Sequence, residues 1–202
     1  MKILNLYAGI GGNRLFWENC EVTAVEYNPD IANEYQRRFP NDTVIVADAH
    51  EYLINHVLDG WDFIWSSPPC PSHSRINTDG QRPPRYPEMS LYQEIIMLSN
   101  NWYKGKWVVE NVIPYYEPLV KPSVMIDRHY FWCNYKVNAV TINKSVPIQN
   151  QSNKERFGIS LEGINIPNKR QILRNLVNPE IGRYFLEMAF DMPKSQILNE
   201  LF

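Results

Sequence analysis

Apolar residues fall in short runs separated by amphipathic stretches, in a rhythm that alternates strand with helix. Residues 2 to 7 read as a buried strand and Gly9 to Gly12 as a tight turn. A helix then runs through Arg14-Leu15-Phe16-Trp17 to about Asn19. Val22 to Glu26 is a second strand, rich in β-branched residues and closed by an acid. Pro29 opens a helix with an apolar stripe of Ile31, Ala32 and Tyr35, and Pro40 lies beyond its end. Thr43 to Ala47 is a third strand closed by Asp48, followed by a helix from His50 to Leu58. The run Trp61 to Trp65 reads as a fourth, buried strand. A helix over Ser90 to Trp102 leads to a fifth strand, Trp107 to Glu110. Tyr130-Phe131-Trp132 and Val137 to Ile142 are expected to form a late hairpin. Pro179 starts a last helix, with Ile181, Tyr184, Phe185, Met188 and Ala189 on one face.

This alternation implies an α/β fold: a Rossmann-like, doubly wound, mostly parallel sheet with helices on both faces. Residues 71 to 89 break the rhythm. They hold Pro71, Pro83, Pro84 and Pro87 together with Arg75, Arg82 and Arg85, and form no regular element. A loop of that length inside a domain is usually functional or disordered. Residues 113 to 126 are a second Pro-rich connection, and 143 to 168 are polar and weakly patterned.

Composition adds bounds. A length of 202 residues suits one domain with at most a small appendage, and 44% hydrophobic residues suffice for a globular core. The net charge of -2 is awkward for a nucleic-acid binder. The cations are not evenly spread, however: three arginines fall in the 71–89 loop, and Lys169, Arg170, Arg174 and Arg183 lie near the C-terminus. Cys20, Cys70 and Cys133 are widely spaced, which argues against a disulfide framework or a zinc site, so no metal is expected. No apolar run reaches the length of a membrane span, and the N-terminus enters a strand at once. A cytoplasmic setting is the expectation.

The chemistry-bearing residues cluster at strand ends, where open α/β sheets bind ligands. Glycines at 9, 11 and 12 let the backbone approach a nucleotide-like ligand, although their spacing is not the dinucleotide pattern. Glu26 is placed to accept ribose hydroxyls and Asp48 an adenine amino group; either could equally be a helix cap or a surface charge. Pro68 and Pro69 stiffen the approach to Cys70. That cysteine borders a polar loop, unlike Cys20 and Cys133, which suit buried structural roles. Glu110 ends an apolar run and is a candidate proton donor, with Asn111 as an orienting neighbour.

In order, these pieces resemble the cytosine-C5 DNA methyltransferase family, over about residues 3 to 134 and 169 to 190. Leu6-Tyr7-Ala8-Gly9-Ile10-Gly11-Gly12 is similar to its first motif, Glu26-Tyr27 to the second and Ala47-Asp48 to the third. Pro68-Pro69-Cys70 with Ser74 is similar to the catalytic motif, Leu91 and Glu94 to the weak motif that follows, and Glu110-Asn111-Val112 to the Glu-Asn-Val motif. Asn175-Leu176-Val177-Asn178-Pro179 is similar to the last motif. The chain departs from the pattern at Pro71, where glutamine is usual. It also departs at Asp127-Arg128-His129, where an Arg-x-Arg is expected, leaving Arg128 or His129 to substitute.

The resemblance implies methyl transfer from S-adenosyl-L-methionine to C5 of cytosine in DNA, with base flipping. Cys70 would add to C6 and Glu110 would serve N3, with Arg128 as a further catalytic residue. The cofactor would be held by Tyr7, Ala8, Gly9, Gly11, Gly12, Glu26, Tyr27, Asp48, Ala49, Pro68, Leu91, Asn175 and Val177. Nucleic acid would be met by Ser74, Arg75, Arg82, Arg85 and Asn111. Residues 1–138 and 169–202 would form the catalytic domain and 139–168 a minimal target-recognition segment, small enough to leave room for a second subunit. An RNA cytosine methyltransferase, an amino-methyltransferase built around Ser67-Pro68-Pro69, and a binding protein without turnover are the competing readings.

Overall fold

The expected apolar runs become the parallel part of one sheet. In this computed structural model, which describes residues 1–78, 80, 83, 85–142, 155–166, 168–192 and 198–200, the strands are β1 (Lys2–Leu6), β2 (Glu21–Glu26), β3 (Thr43–Val46), β4 (Phe63–Ser66) and β5 (Lys106–Val112). They pair in parallel in the order β3-β2-β1-β4-β5. The sheet continues through two antiparallel pairings to β7 (His129–Cys133) and then β6 (Val124–Ile126). The register sets Leu6 beside Ser66 and Ser66 beside Val109. The glycine turn after β1, the Pro-Pro-Cys segment after β4 and Glu110 on β5 therefore share one edge. Strand order reverses between β1 and β4, and such a switch point opens a ligand crevice.

Strands covered on both faces read as continuous apolar runs. Ile3, Leu4, Leu6, Phe63, Ile64, Trp65, Val108 and Val109 are all fully buried. On one face α2 (Ala49–His56) and α3 (Ser90–Ser99) pack Leu53, Ile95 and Leu98 against Leu4, Leu6 and Ile64. On the other, α5 (Pro179–Ala189) packs Ile181, Phe185 and Leu186 against Ile3, Phe63 and Trp65. Helix α1 (Pro29–Arg38) brings Tyr35 to Ala8 and Ala24. Local signals start these helices: Asn28, Asp48 and Asn178 each cap with a side-chain oxygen, and Pro29 and Pro179 follow two of the caps.

Two expectations about elements fail. Residues 12 to 16 form successive turns, and no helix follows through Trp17. Their side chains take the backbone elsewhere: the Arg14 guanidinium donates to the Trp17 carbonyl and Asp42, and the Trp17 indole donates to the Gly182 carbonyl. The late hairpin also has a different partner. β7 pairs with β6, inside the expected 113–126 connection, across a tight turn where Asp127 adopts φ 53°. β8 (Val140–Ile142) pairs instead with β11 (Leu198–Glu200).

Within 139–168, β9 (Glu155–Arg156) and β10 (Ile159–Ser160) form a hairpin around Phe157-Gly158, both at positive φ as a two-residue turn requires. Ile159, Leu161 and Ile166 share a core with Ile10 of the glycine turn and with Leu173 and Leu176 around α4 (Lys169–Arg174). The described residues of this segment thus pack on the cofactor-type turn and build no core of their own.

Candidate active site

The glycine turn is shaped by left-handed backbone at Tyr7, Gly9 and Gly11 (φ 55°, 55° and 81°). A Cβ on Gly11 would collide with the Phe39 ring. One on Gly12 would lie 2.6 Å from the Val177 carbonyl and 2.7 Å from Leu176 Cγ. Gly9 differs, because a Cβ there would enter open space at the strand end. The amide of Gly9 donates to Glu26 Oε2 at 3.0 Å and that of Asn28 donates to Oε1 at 2.9 Å. Two backbone donors therefore aim the Glu26 carboxylate at the turn, and each oxygen keeps a further lone pair. Tyr27, beside it, is 75% exposed.

Asp48 caps α2: its Oδ1 accepts from the amides of His50 and Glu51 at 2.9 and 3.0 Å. Ala8, Ala49, Pro68 and Leu91 are buried. Leu91 belongs to the core around Leu4 and Leu6. Asn175 is exposed at the end of α4, and the Val177 carbonyl lies against Gly12.

The catalytic turn is held by hydrogen bonds from its neighbours. The Cys70 carbonyl accepts from the amides of His73 and Ser74, both at 3.1 Å. Ser74 bridges to Pro114, and the Tyr115 amide donates to the His73 carbonyl. Asn111 is 1% exposed, and its side-chain amide donates to the Pro68 carbonyl at 2.9 Å. Asn111, expected as a nucleic-acid contact, thus ties β5 to the Pro-Pro-Cys segment from within the fold.

Cys70 is partly buried and Glu110 is 8% exposed. Burial first, and then the Glu110 charge, push the Cys70 thiol above its ordinary range; its own backbone and Arg174 oppose them. Arg128, expected as a base contact, sits in the turn between β6 and β7. Its guanidinium is 65% exposed and lies 3.9 Å from neighbouring Asp127. His129, in register with Val112 across the β5–β7 ladder, brings Nε2 to 3.5 Å from Glu110 Oε1. Arg128 precedes β7 in the turn after β6, whereas His129 is the first residue of β7 and so lies on the ladder beside Glu110.

In the 71–89 loop, Arg75 Nε donates to the Pro114 carbonyl at 3.4 Å, and the exposed Arg85 offers its carbonyl to the Tyr115 hydroxyl. Arg82 lies outside the described residues. Sequence reasoning missed Gly182 and Arg156. A Cβ on Gly182 would strike the Asn13 carbonyl, so that glycine lets α5 close on the turn; a glycine inside an amphipathic helix was the available signal. Arg156 donates to the carbonyls of Leu173 and Arg174, which pins the β9–β10 hairpin to the end of α4. Among the described residues no His, Cys, Asp or Glu cluster could hold a metal, and no helix is long and apolar enough to cross a membrane.

No curated protein matches the chain. Among solved structures it is similar to a variant of DNMT2 from Spodoptera frugiperda, at 26% identity and TM-score 0.38 over 55% of this chain and 35% of that one. It therefore spans about a third of that protein's length. It is also similar to a candidate methyltransferase, yhhF, from Escherichia coli (15% identity, TM-score 0.42, 65% of this chain and 73% of that one). A third is the methyltransferase EhMeth of Entamoeba histolytica (14% identity, TM-score 0.36, 55% of this chain and 38% of that one). The model of the C-5 cytosine-specific DNA methylase family matches residues 1–114, which contain the glycine turn, the Pro-Pro-Cys segment and Glu110. With more than half of its length matched, this chain, a class I methyltransferase fold of the α/β type, belongs to the C-5 cytosine-specific DNA methylase family.

Proposed function

We propose that the protein transfers a methyl group from S-adenosylmethionine to C5 of a cytosine in DNA, through a transient bond between Cys70 Sγ and C6. The observation that carries this reading is the placement of Cys70, in the segment that follows β4, beside Glu110 on the neighbouring parallel strand β5, with the Asn111–Pro68 bond tying the two segments together. The turn fits a nucleoside: Gly9 opens onto free space, and Glu26 is oriented there by two amides. When bound, S-adenosylmethionine supplies an electrophilic methyl. Gly9, Gly11, Gly12, Glu26, Tyr27, Asp48, Asn175 and Val177 would hold it.

Cytosine C5 is a weak nucleophile until C6 is substituted. Cys70 Sγ adds to C6, the C5=C6 electron pair moves to C5, and a proton held by Glu110 passes to N3. After C5 carries the methyl, a solvent base takes the C5 proton, the electron pair of that C–H bond re-forms C5=C6 as Sγ leaves as thiolate, and N3 returns its proton to Glu110. Burial and the Glu110 charge both oppose thiolate formation in the free protein. His129, 3.5 Å from Glu110, is the neighbour placed to hold that carboxyl in line. A stacked base cannot reach this site, and extruding it costs a few kcal/mol. Arg75 and Arg85 on the 71–89 loop are the described cations placed to meet phosphate there.

The test is covalent capture on oligonucleotides carrying 5-fluorocytosine. A complex through Cys70 on DNA, absent from Cys70→Ala, is expected. Capture on RNA alone would reassign the substrate, and methylation of an exocyclic nitrogen, read by nucleoside mass spectrometry, would refute the C5 chemistry.

A further inference from the structure

Glu94 of α3 is completely buried, and polar groups from three other elements converge on its carboxylate. The Tyr7 hydroxyl, at the end of β1, donates to Oε1 at 2.6 Å. The Ser66 hydroxyl, at the end of β4, donates to Oε2 at 2.5 Å. His50 Nδ1, in the first turn of α2, lies 3.0 Å from Oε1. Each anchor borders a segment of the site: Tyr7 opens the glycine turn, Ser66 precedes Ser67-Pro68-Pro69-Cys70, and His50 follows Asp48.

A buried carboxylate is costly unless its partners satisfy it, and an apolar residue would fill the same space more cheaply. Packing of α3 is already supplied by Leu91, Tyr92, Ile95 and Leu98. A second observation concerns the backbone. Tyr7 has φ 55°, an outlier for a bulky side chain that persists only when the surroundings over-determine it. The bond from its hydroxyl to Glu94 is one such constraint.

We propose that Glu94 is a positioning residue, which holds the glycine turn and the Pro-Pro-Cys turn at a fixed separation through Tyr7 and Ser66, with His50 as its third polar partner. The inference rests on the methyltransferase reading above. Transfer requires donor and acceptor at near-attack distance, and a shift of about 1 Å costs on the order of 100-fold in rate. Binding tolerates such a shift far better. Loss of the tie should therefore slow transfer and spare cofactor affinity.

The full chain is compared with Glu94→Gln, Tyr7→Phe and the double variant, by single-turnover methyl transfer and by calorimetric affinity for S-adenosylhomocysteine. Glutamine keeps the shape but opposes one hydroxyl donor with an N–H. Glu94→Gln should slow transfer roughly 10- to 100-fold while affinity changes by less than about threefold. Tyr7→Phe should slow it less, and the double variant should be no slower than Glu94→Gln, since both act through one contact. A variant with the wild-type rate, one whose affinity falls in step with its rate, or losses that multiply in the double variant would overturn the proposal. A wild type that neither binds the nucleoside nor transfers methyl would overturn the methyltransferase reading, and this role with it. If Glu94→Gln does not fold, Tyr7→Phe and Ser66→Ala each remove one bond and must show the same separation of rate from affinity.

Discussion

The side-chain amide of Asn111 donates to the carbonyl of Pro68 at 2.9 Å, and its own Oδ1 accepts from the Val112 amide at 2.9 Å. One buried side chain thereby ties β5 to the turn that carries Cys70. Proline lacks an amide donor, so the Pro68-Pro69 backbone has few ways to anchor itself, and the carbonyl is the group left to hold. Asn111→Ala would leave that carbonyl buried and unpaired, a loss of about 1–3 kcal/mol. Thermal unfolding should show it, and methyl transfer should fall further than stability alone explains.

The Cys70 thiol titrates above its ordinary range, with burial the first cause and Glu110 the second. Alkylation of Cys70 by iodoacetamide, followed by peptide mass spectrometry, should be slow near neutrality and accelerate as pH rises. Glu110→Gln should move that profile to lower pH but recover only part of the shift, because burial remains. A profile insensitive to Glu110 would separate the two groups.

Arg128 and His129 should behave differently. His129→Gln removes the group 3.5 Å from the Glu110 carboxylate and should lower kcat. Arg128→Ala removes an exposed cation and should weaken DNA binding, reducing the slope of log affinity against log salt by about 1. Salt titrations and steady-state kinetics on both variants check this.

Gly12→Ala places a methyl 2.6 Å from the Val177 carbonyl, so the chain after α4 must move. Overpacking of this kind costs about 1–3 kcal/mol. Gly9→Ala meets no atom but occupies a left-handed position, at a cost of about 1–2 kcal/mol. Both lower the melting temperature. Gly9→Ala should weaken S-adenosylhomocysteine binding more than its stability loss accounts for, since the methyl enters the proposed nucleoside space.

The hydrogen bond to Glu94 is the leading cause that raises the His50 pKa above 6.5. Protonated His50 is thus favoured in the folded state. Its contribution is fully present below pH 6.5 and is lost as pH rises through the higher folded value. Chemical denaturation across this range should show stability declining with pH, and His50→Gln should flatten that decline.

Sequence reading reached the strand ends well because they are written locally. Asn28, Asp48 and Asn178 cap helices that open where the pattern changes period, and Pro29 and Pro179 mark two of the starts. It failed where a side chain competes with the backbone. Arg14 and Trp17 sit in a stretch with helical spacing, yet the Trp17 indole bonds to Gly182, distant in sequence, and no helix forms. Of the readings entertained for Asp48, its hydrogen bonds show the helix cap.

From the chain alone came the alternation of strand and helix, the glycine turn, and the succession of Cys70 and Glu110 after buried strands. Periodicity, capping and backbone freedom are properties of neighbours in sequence. The tertiary structure alone decided which distant groups meet: His129 and not Arg128 at Glu110, Val177 against Gly12, and Tyr7, Ser66 and His50 on one buried carboxylate. Those encounters depend on strand register and on how closely helices approach the sheet. A shift of one residue in register turns a side chain to the other face, and no local propensity records that.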